Sequence, residues 1–219
     1  MFLSPIAYIV IAVFLIVTGW FFFSTFFLIG RADIRDFFSL LPIVFAFSLP
    51  AITMRLFSEE FKTGSYEMLG TLPLSPAHII LGKYLSVVAT VGIMLLPTVS
   101  YPLFINGLGD LDIGPVIGGY IGALLLGSSY AAIGLFASSL SANQIVAFIV
   151  SVIICFSLTM IDRMLVLLPN ALTNFLQFLS AGYHFQTIAK GIIDSRDLLY
   201  FASVIAVALF GTYYVRRPQ

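Results

Sequence analysis

A chain of 219 residues in which 60% are hydrophobic and only 9% charged lies far from the composition of a water-soluble domain, where about 25% of residues are charged. Ten basic and ten acidic side chains leave a formal net charge of zero, so neither a basic surface for nucleic acid nor an acidic tail for a cationic partner is on offer. The single cysteine, Cys155, sits in an apolar run; this excludes an intrachain disulfide framework and a cysteine-rich metal site, and a small buried hydrophobe is expected there.

The bilayer is therefore the expected solvent, with each span requiring about 20 apolar residues. The first run, Pro5 to Ile29, carries no charge and follows a Ser4-Pro5 step, which supplies an N-cap and the proline favoured at the first helical position. It lacks the basic lead of a signal peptide and is too long for one, so it is a retained first span. A polar turn with Arg31, Asp33, Arg35 and Asp36 leads into the second span, 37–54, in which Pro42 and Pro50 predict kinks. Arg55 to Ser75, with Glu59, Glu60, Lys62 and Glu67, is the sizeable polar segment of the first half and must lie outside the hydrocarbon.

Ser75-Pro76 repeats the cap and opens the third span, 77–105, where Lys83 is placed to snorkel. Asn106 to Gly114 is a turn, 115–139 the fourth span and 142–161 the fifth; the Ser141–Asn143 link is so short that these two must pack as an antiparallel hairpin. The last span, 198–215, ends on Tyr213, Tyr214, Arg216 and Arg217, interfacial aromatics followed by the basic pair expected on a cytoplasmic side. Six spans then place both termini in the cytoplasm, although the basic residues divide evenly between the two faces. Ahead of the last span, Leu172, Phe175, Leu176 and Leu179, then Phe185, Ile188, Ala189 and Ile192, recur at helical spacing; two short amphipathic helices broken at Gly182 are expected. The fold class is thus all-α integral membrane, one transmembrane domain over residues 1–219.

Wound as one helix, the Arg55–Ser75 segment gathers Phe57, Phe61, Met68 and Leu72 in a narrow arc and sends Glu59, Glu60, Lys62, Tyr66 and Glu67 to the far side. It should lie flat on the membrane surface. Gly64 and Gly70 each cost about 1 kcal/mol relative to alanine, which predicts a break near Thr63-Gly64 into two shorter helices. A plain interfacial loop helix fits this pattern; so does a lever that docks into a soluble motor and moves spans two and three. No Walker A pattern occurs, since Gly82-Lys83 lacks the upstream glycine and the following hydroxyl, so this chain is not its own motor.

The fourth span contains Gly118 and Gly122 at Gly-x-x-x-Gly spacing, then Gly127, Ala131, Gly134 and Ser138. Small residues so spaced let helices approach closely, within one subunit or between two. No charge falls at mid-span. Asp162 and Arg163 are expected at a solvated helix end, and His78 and His184 at the surface. No nucleophile stands with a base, so no catalytic, cofactor-binding or metal-ligating residue is expected.

The Arg55–Ser75 run resembles the signature of ABC-2-type permeases, at the acidic pair Glu59-Glu60, the Thr63-Gly64 step, Glu67, Pro73 and Ser75. His184 to Phe201, with Gly191, Asp194 and Asp197, and the opening Ser4 to Ile9 are similar to the gliding-motility-associated branch, so the resemblance covers essentially the whole chain. It implies a six-helix half-transporter of the bacterial inner (cytoplasmic) membrane, paired with a second permease copy or paralogue. ATP and Mg would belong to a separate ABC ATPase subunit, leaving this chain without a cofactor, and export is the expected direction. The first cytoplasmic loop would be the coupling helix, with Phe57, Glu59, Glu60, Phe61, Thr63, Gly64, Glu67 and Met68 as its contacts; Gly118, Gly122, Gly127 and Ala131 would serve helix packing. Span two and the outer helices are the implied face of the permease pair, the fourth-span row its rival. Other classes are a membrane anchor of surface or gliding-type machinery, and a stand-alone secondary transporter or channel, which would call for intramembrane charge or paired broken helices. Relatives begin with a basic amphipathic helix before Ser-Pro, whereas three residues precede Ser4 here; either a start further upstream or the lack of that helix is expected.

Overall fold

A computed structural model describes residues 5–29, 34–70, 75–107, 111–164 and 176–216. In chain order its helices are α1 (Pro5–Ile29), α2 (Arg35–Thr53), α3 (Arg55–Thr63), α4 (Ser65–Gly70), α5 (Pro76–Leu95), α6 (Ser100–Asn106), α7 (Ile113–Leu140), α8 (Gln144–Met164), α9 (Ala181–Ala189) and α10 (Ser195–Arg216). Residues 176–179 are also helical, and no strand occurs among the described residues. Six helical segments are long and apolar enough to cross a membrane. The third of these is not one uniform helix: a 3-10 turn, Pro97–Val99, separates α5 from α6, because a proline cannot donate to the helical ladder. In contrast α2 remains helical through Pro42 and Pro50.

The bundle is organised around α7, whose residues face inward on nearly every side. Its small residues are the reason. A Cβ on Gly119 would lie 2.2 Å from the Phe38 ring, on Gly127 2.6 Å from Val91, on Gly134 2.0 Å from the Thr53 hydroxyl, and on Gly118 2.3 Å from the Ile188 carbonyl oxygen. Thus α2, α5 and α9 each close onto α7 to a distance that only glycine admits. Gly118, Gly122, Gly127 and the fully buried Ala131 are covered by the chain's own helices, so in this structure the row packs the bundle from within. Much of α2 is also covered, with Phe37, Phe38, Leu41, Phe45 and Leu49 in the core. Ser39 and Phe47 remain exposed on it, and Phe21 and Thr25 of α1, Ser39 and Ile43 of α2 and Arg163 of α8 line a recess of about 340 Å³.

The link between α7 and α8 is as tight as its three residues predict, with the Asn143 side chain accepting the Ile145 N–H at 2.9 Å to cap α8. Ahead of α10 the expected break at Gly182 lies earlier. The Ser180 hydroxyl accepts the Tyr183 N–H at 3.2 Å, so the cap starts α9 before the glycine does anything to it. Gly182 instead answers a packing need, since its Cβ would lie 3.1 Å from the Thr159 carbonyl oxygen. Gly191 ends the segment at φ +86°, leaving Ile192 beyond the helix. The start of the other expected short helix, Leu172 and Phe175, lies outside the described residues.

Candidate functional site

The polar segment after α2 folds as a hairpin of two short helices. Gly64 has φ +72°, and a Cβ there would meet nothing within 4 Å, so the glycine is required by conformation and not by space; another residue type would cost about 1–2 kcal/mol. The break expected near Thr63-Gly64 is therefore where the hairpin turns. Thr63 bridges it, donating to the Glu59 carbonyl at 2.9 Å and hydrogen-bonding the Ser65 hydroxyl at 2.8 Å.

The inner face of the hairpin is tied to the spans by three contacts. First, α3 begins without a side-chain cap of its own, leaving N–H groups that a helix start cannot satisfy internally. Ser138 near the end of α7 takes the role: its hydroxyl accepts the N–H of Phe57 at 2.9 Å and of Ser58 at 3.2 Å and donates to the Met54 carbonyl at 3.1 Å. Second, Lys83 of α5 donates to the Leu56 carbonyl and to the Glu60 carboxylate, with its ammonium 4.5 Å from the centre of the Phe57 ring. Third, the Arg216 guanidinium in the last turn of α10 lies 3.7 Å from the centre of the Phe61 ring, a cation–π geometry. Phe57 and Phe61 stack at 5.9 Å, and the Tyr66 ring meets Phe61 edge-on at 5.0 Å.

Of the candidate contacts, Phe57 is fully buried, Phe61 is half-buried, and Glu59, Thr63, Gly64 and Glu67 are exposed. The side chain of Met68 and all of Leu72 lie outside the described residues. Two expected far-side residues turn inward. Glu60 is only about 60° around the helix from Phe57, close enough for Lys83 to capture it. Tyr66 follows Gly64, whose left-handed backbone resets the helical wheel on which its outward position was read.

At the opposite end of α7, α9 packs over Gly118 and Gly122. Ser138 follows Gly118 by 20 residues, about 30 Å along a helix. His184 of α9, expected at the surface, is 4% exposed there, with Nδ1 2.6 Å from Asp197 Oδ1. Asp162 is likewise engaged, accepting from Gln186 Nε2 at 2.8 Å, whereas His78 is exposed and bonds Ser75.

The family of ABC-2 family transporter proteins matches residues 5–211, from the first helix into the last turns of α10. The chain belongs to the ABC-2 transporter family. As an ABC-2 permease it is a multi-pass membrane protein and a transport subunit of an ABC transporter. Comparison with curated proteins finds no match.

Three residues that tie the ABC-2 hairpin to its bundle escaped a role in the sequence reading: Ser138 stood only in a row of small residues, Lys83 only as a snorkelling lysine, and Arg216 only as a topology marker. Their partners lie 23 or more positions away, beyond any local pattern. A signal did exist for Lys83, one of the few cations near the apolar runs.

Proposed function

We propose that this permease receives the work of a separate ATPase subunit at the α3–α4 hairpin and converts it to substrate translocation, in the export direction. The observation that carries this reading is the two-sided hairpin: Glu59, Lys62, Thr63 and Glu67 are exposed along its outer edge, while Ser138, Lys83 and Arg216 bind its inner face to α7, α5 and α10. A load on the outer edge is delivered to several spans at once. Such a hairpin belongs on the cytoplasmic side, where ATP is available, which puts both termini there and the chain in a bacterial inner membrane. The His184–Phe201 stretch supports a place in the gliding-motility-associated branch.

Co-expression with the ATPase subunit tests the reading. Glu59→Lys with Glu67→Lys should weaken ATPase association by about tenfold or more, since like charges across an interface are costly, while the permease still reaches the membrane. Lys83→Met should retain the ATPase but lose stimulation of its turnover, and Lys83→Arg should restore part of it. Unchanged association and transport in the double reversal would refute the hairpin as the docking edge.

A second permease, the same chain or a paralogue, completes the pathway, because six helices of about 10 Å diameter fill their own interior. The recess between α1, α2 and α8 supports that face as the shared one. Cysteines at Ser39 or Phe47, in a Cys155→Ala background, should cross-link between permeases in native membranes; their failure to do so with all subunits present would exclude this face.

A further inference from the structure

At the end of the bundle away from α3–α4, a buried histidine–carboxylate pair has no part in the coupling just described. His184 of α9 and Asp197 in the first turn of α10 are each 4% exposed, and Nδ1 and Oδ1 are 2.6 Å apart. The other ring nitrogen, Nε2, is 3.3 Å from the Phe178 carbonyl oxygen. The ring stacks on Tyr200 at 4.1 Å, and the Tyr200 hydroxyl donates to the next carbonyl, Leu179, at 2.8 Å. Side chains of α9 and α10 thus hold two consecutive carbonyls of the segment 176–180. A recess of about 260 Å³ lined by Gln177, Tyr183, Thr187 and Arg196 reaches the pair, giving protons a way in.

The geometry dictates a proton count. A carbonyl only accepts, so Nε2 must carry a hydrogen to bond Phe178, and the Nδ1–Oδ1 contact needs a second hydrogen between its atoms. The arrangement is satisfied either as imidazolium with carboxylate or as imidazole with carboxylic acid, both neutral overall. With one proton removed, a lone pair must face either the Phe178 carbonyl or the carboxylate. The pair then also carries a net negative charge where, among the described residues, buried Asp197 Oδ2 meets no donor, an unfavourable burial.

We propose that His184 and Asp197 form a proton-binding site that clamps residues 176–180 onto α9 and α10, closed while the pair holds both protons and open when one leaves. The other titratable or charged groups around it are Asp162 from α8, bonded to Gln186; Tyr183 on α9; and Asp194, Arg196 and Tyr200 on α10. Among the described residues, only Asp197 and Phe178 hydrogen-bond the imidazole. The clamp is complete while the pair holds both protons and is lost when one is released, so its opening is linked to the release of a single proton.

A nitroxide at Phe178→Cys, whose native side chain is 66% exposed, reads the clamp in the full-length chain in lipid bilayers with Cys155→Ala. The expected result is an immobile line shape at low pH that becomes mobile with one-proton steepness. Asp197→Asn is the decisive variant. Its amide donates to Nδ1 of a neutral imidazole while Nε2–H still donates to Phe178, so both bonds survive without the extra proton and the label should stay immobile throughout. His184→Ala should leave it mobile throughout. A pH-independent line shape in the parent, or a transition in Asp197→Asn matching the parent's, would overturn the proposal.

Discussion

Substituting alanine for Gly118 should destabilise the bundle by about 3 kcal/mol, the upper end of ordinary overpacking costs. The added methyl would sit 2.3 Å from the Ile188 carbonyl oxygen and 3.0 Å from Gly191 Cα. Both are backbone, so no rotamer change relieves the overlap; α9 would have to move off α7. Gly122→Ala meets only the side chains of Phe185 and Ile188, at 3.2 and 3.3 Å, and should cost about 1 kcal/mol. Gly92→Ala meets nothing within 4 Å and should stabilise α5 by up to about 1 kcal/mol through helix propensity. Thermal unfolding in one detergent should rank the three in that order. Equal midpoints for all three would contradict the close approach of α9 to α7.

Ser138→Ala should be nearly as damaging, but locally. It removes the acceptor for two N–H groups at the start of α3 and the donor to Met54. Loss of a cap costs about 1 kcal/mol, and polar groups left unsatisfied in a buried site cost about 1–3 kcal/mol more. The spans keep their packing, so the protein should still insert while the hairpin loosens. Limited trypsin digestion reads this at Lys62, which is exposed at the end of α3; cleavage there should be accelerated at least tenfold. An unchanged cleavage rate would show that the cap from α7 is dispensable.

What could be read from the sequence was whatever a run or a period encodes. Uninterrupted apolar stretches marked the membrane helices, and Gly64 betrayed the break in the hairpin because helices tolerate glycine poorly. Pairings across the chain were illegible. Glu60 belongs with Lys83, Phe61 with Arg216 and His184 with Asp197, and no periodicity joins such positions. His184 was expected at the surface for want of a visible partner, yet Asp197 stood 13 residues on at the start of another helix, where only the turn between α9 and α10 brings it round. The wheel drawn through Tyr66 failed for the opposite reason: it assumed regular helix across the very glycine that predicted a break.

The burial of α7 bears on how the chain enters the membrane at all. Of the six spanning segments it has the lowest mean hydropathy and the largest buried share, because its glycines and serines, including Ser128, Ser129, Ser138 and Ser139, are chosen for neighbours and not for lipid. On its own such a segment partitions weakly into hydrocarbon. The next helix, α8, is among the most apolar and follows after three residues, so the two are suited to leave the insertion machinery as one unit, with α8 supplying the greasiness that α7 gave up in becoming the axle of the fold.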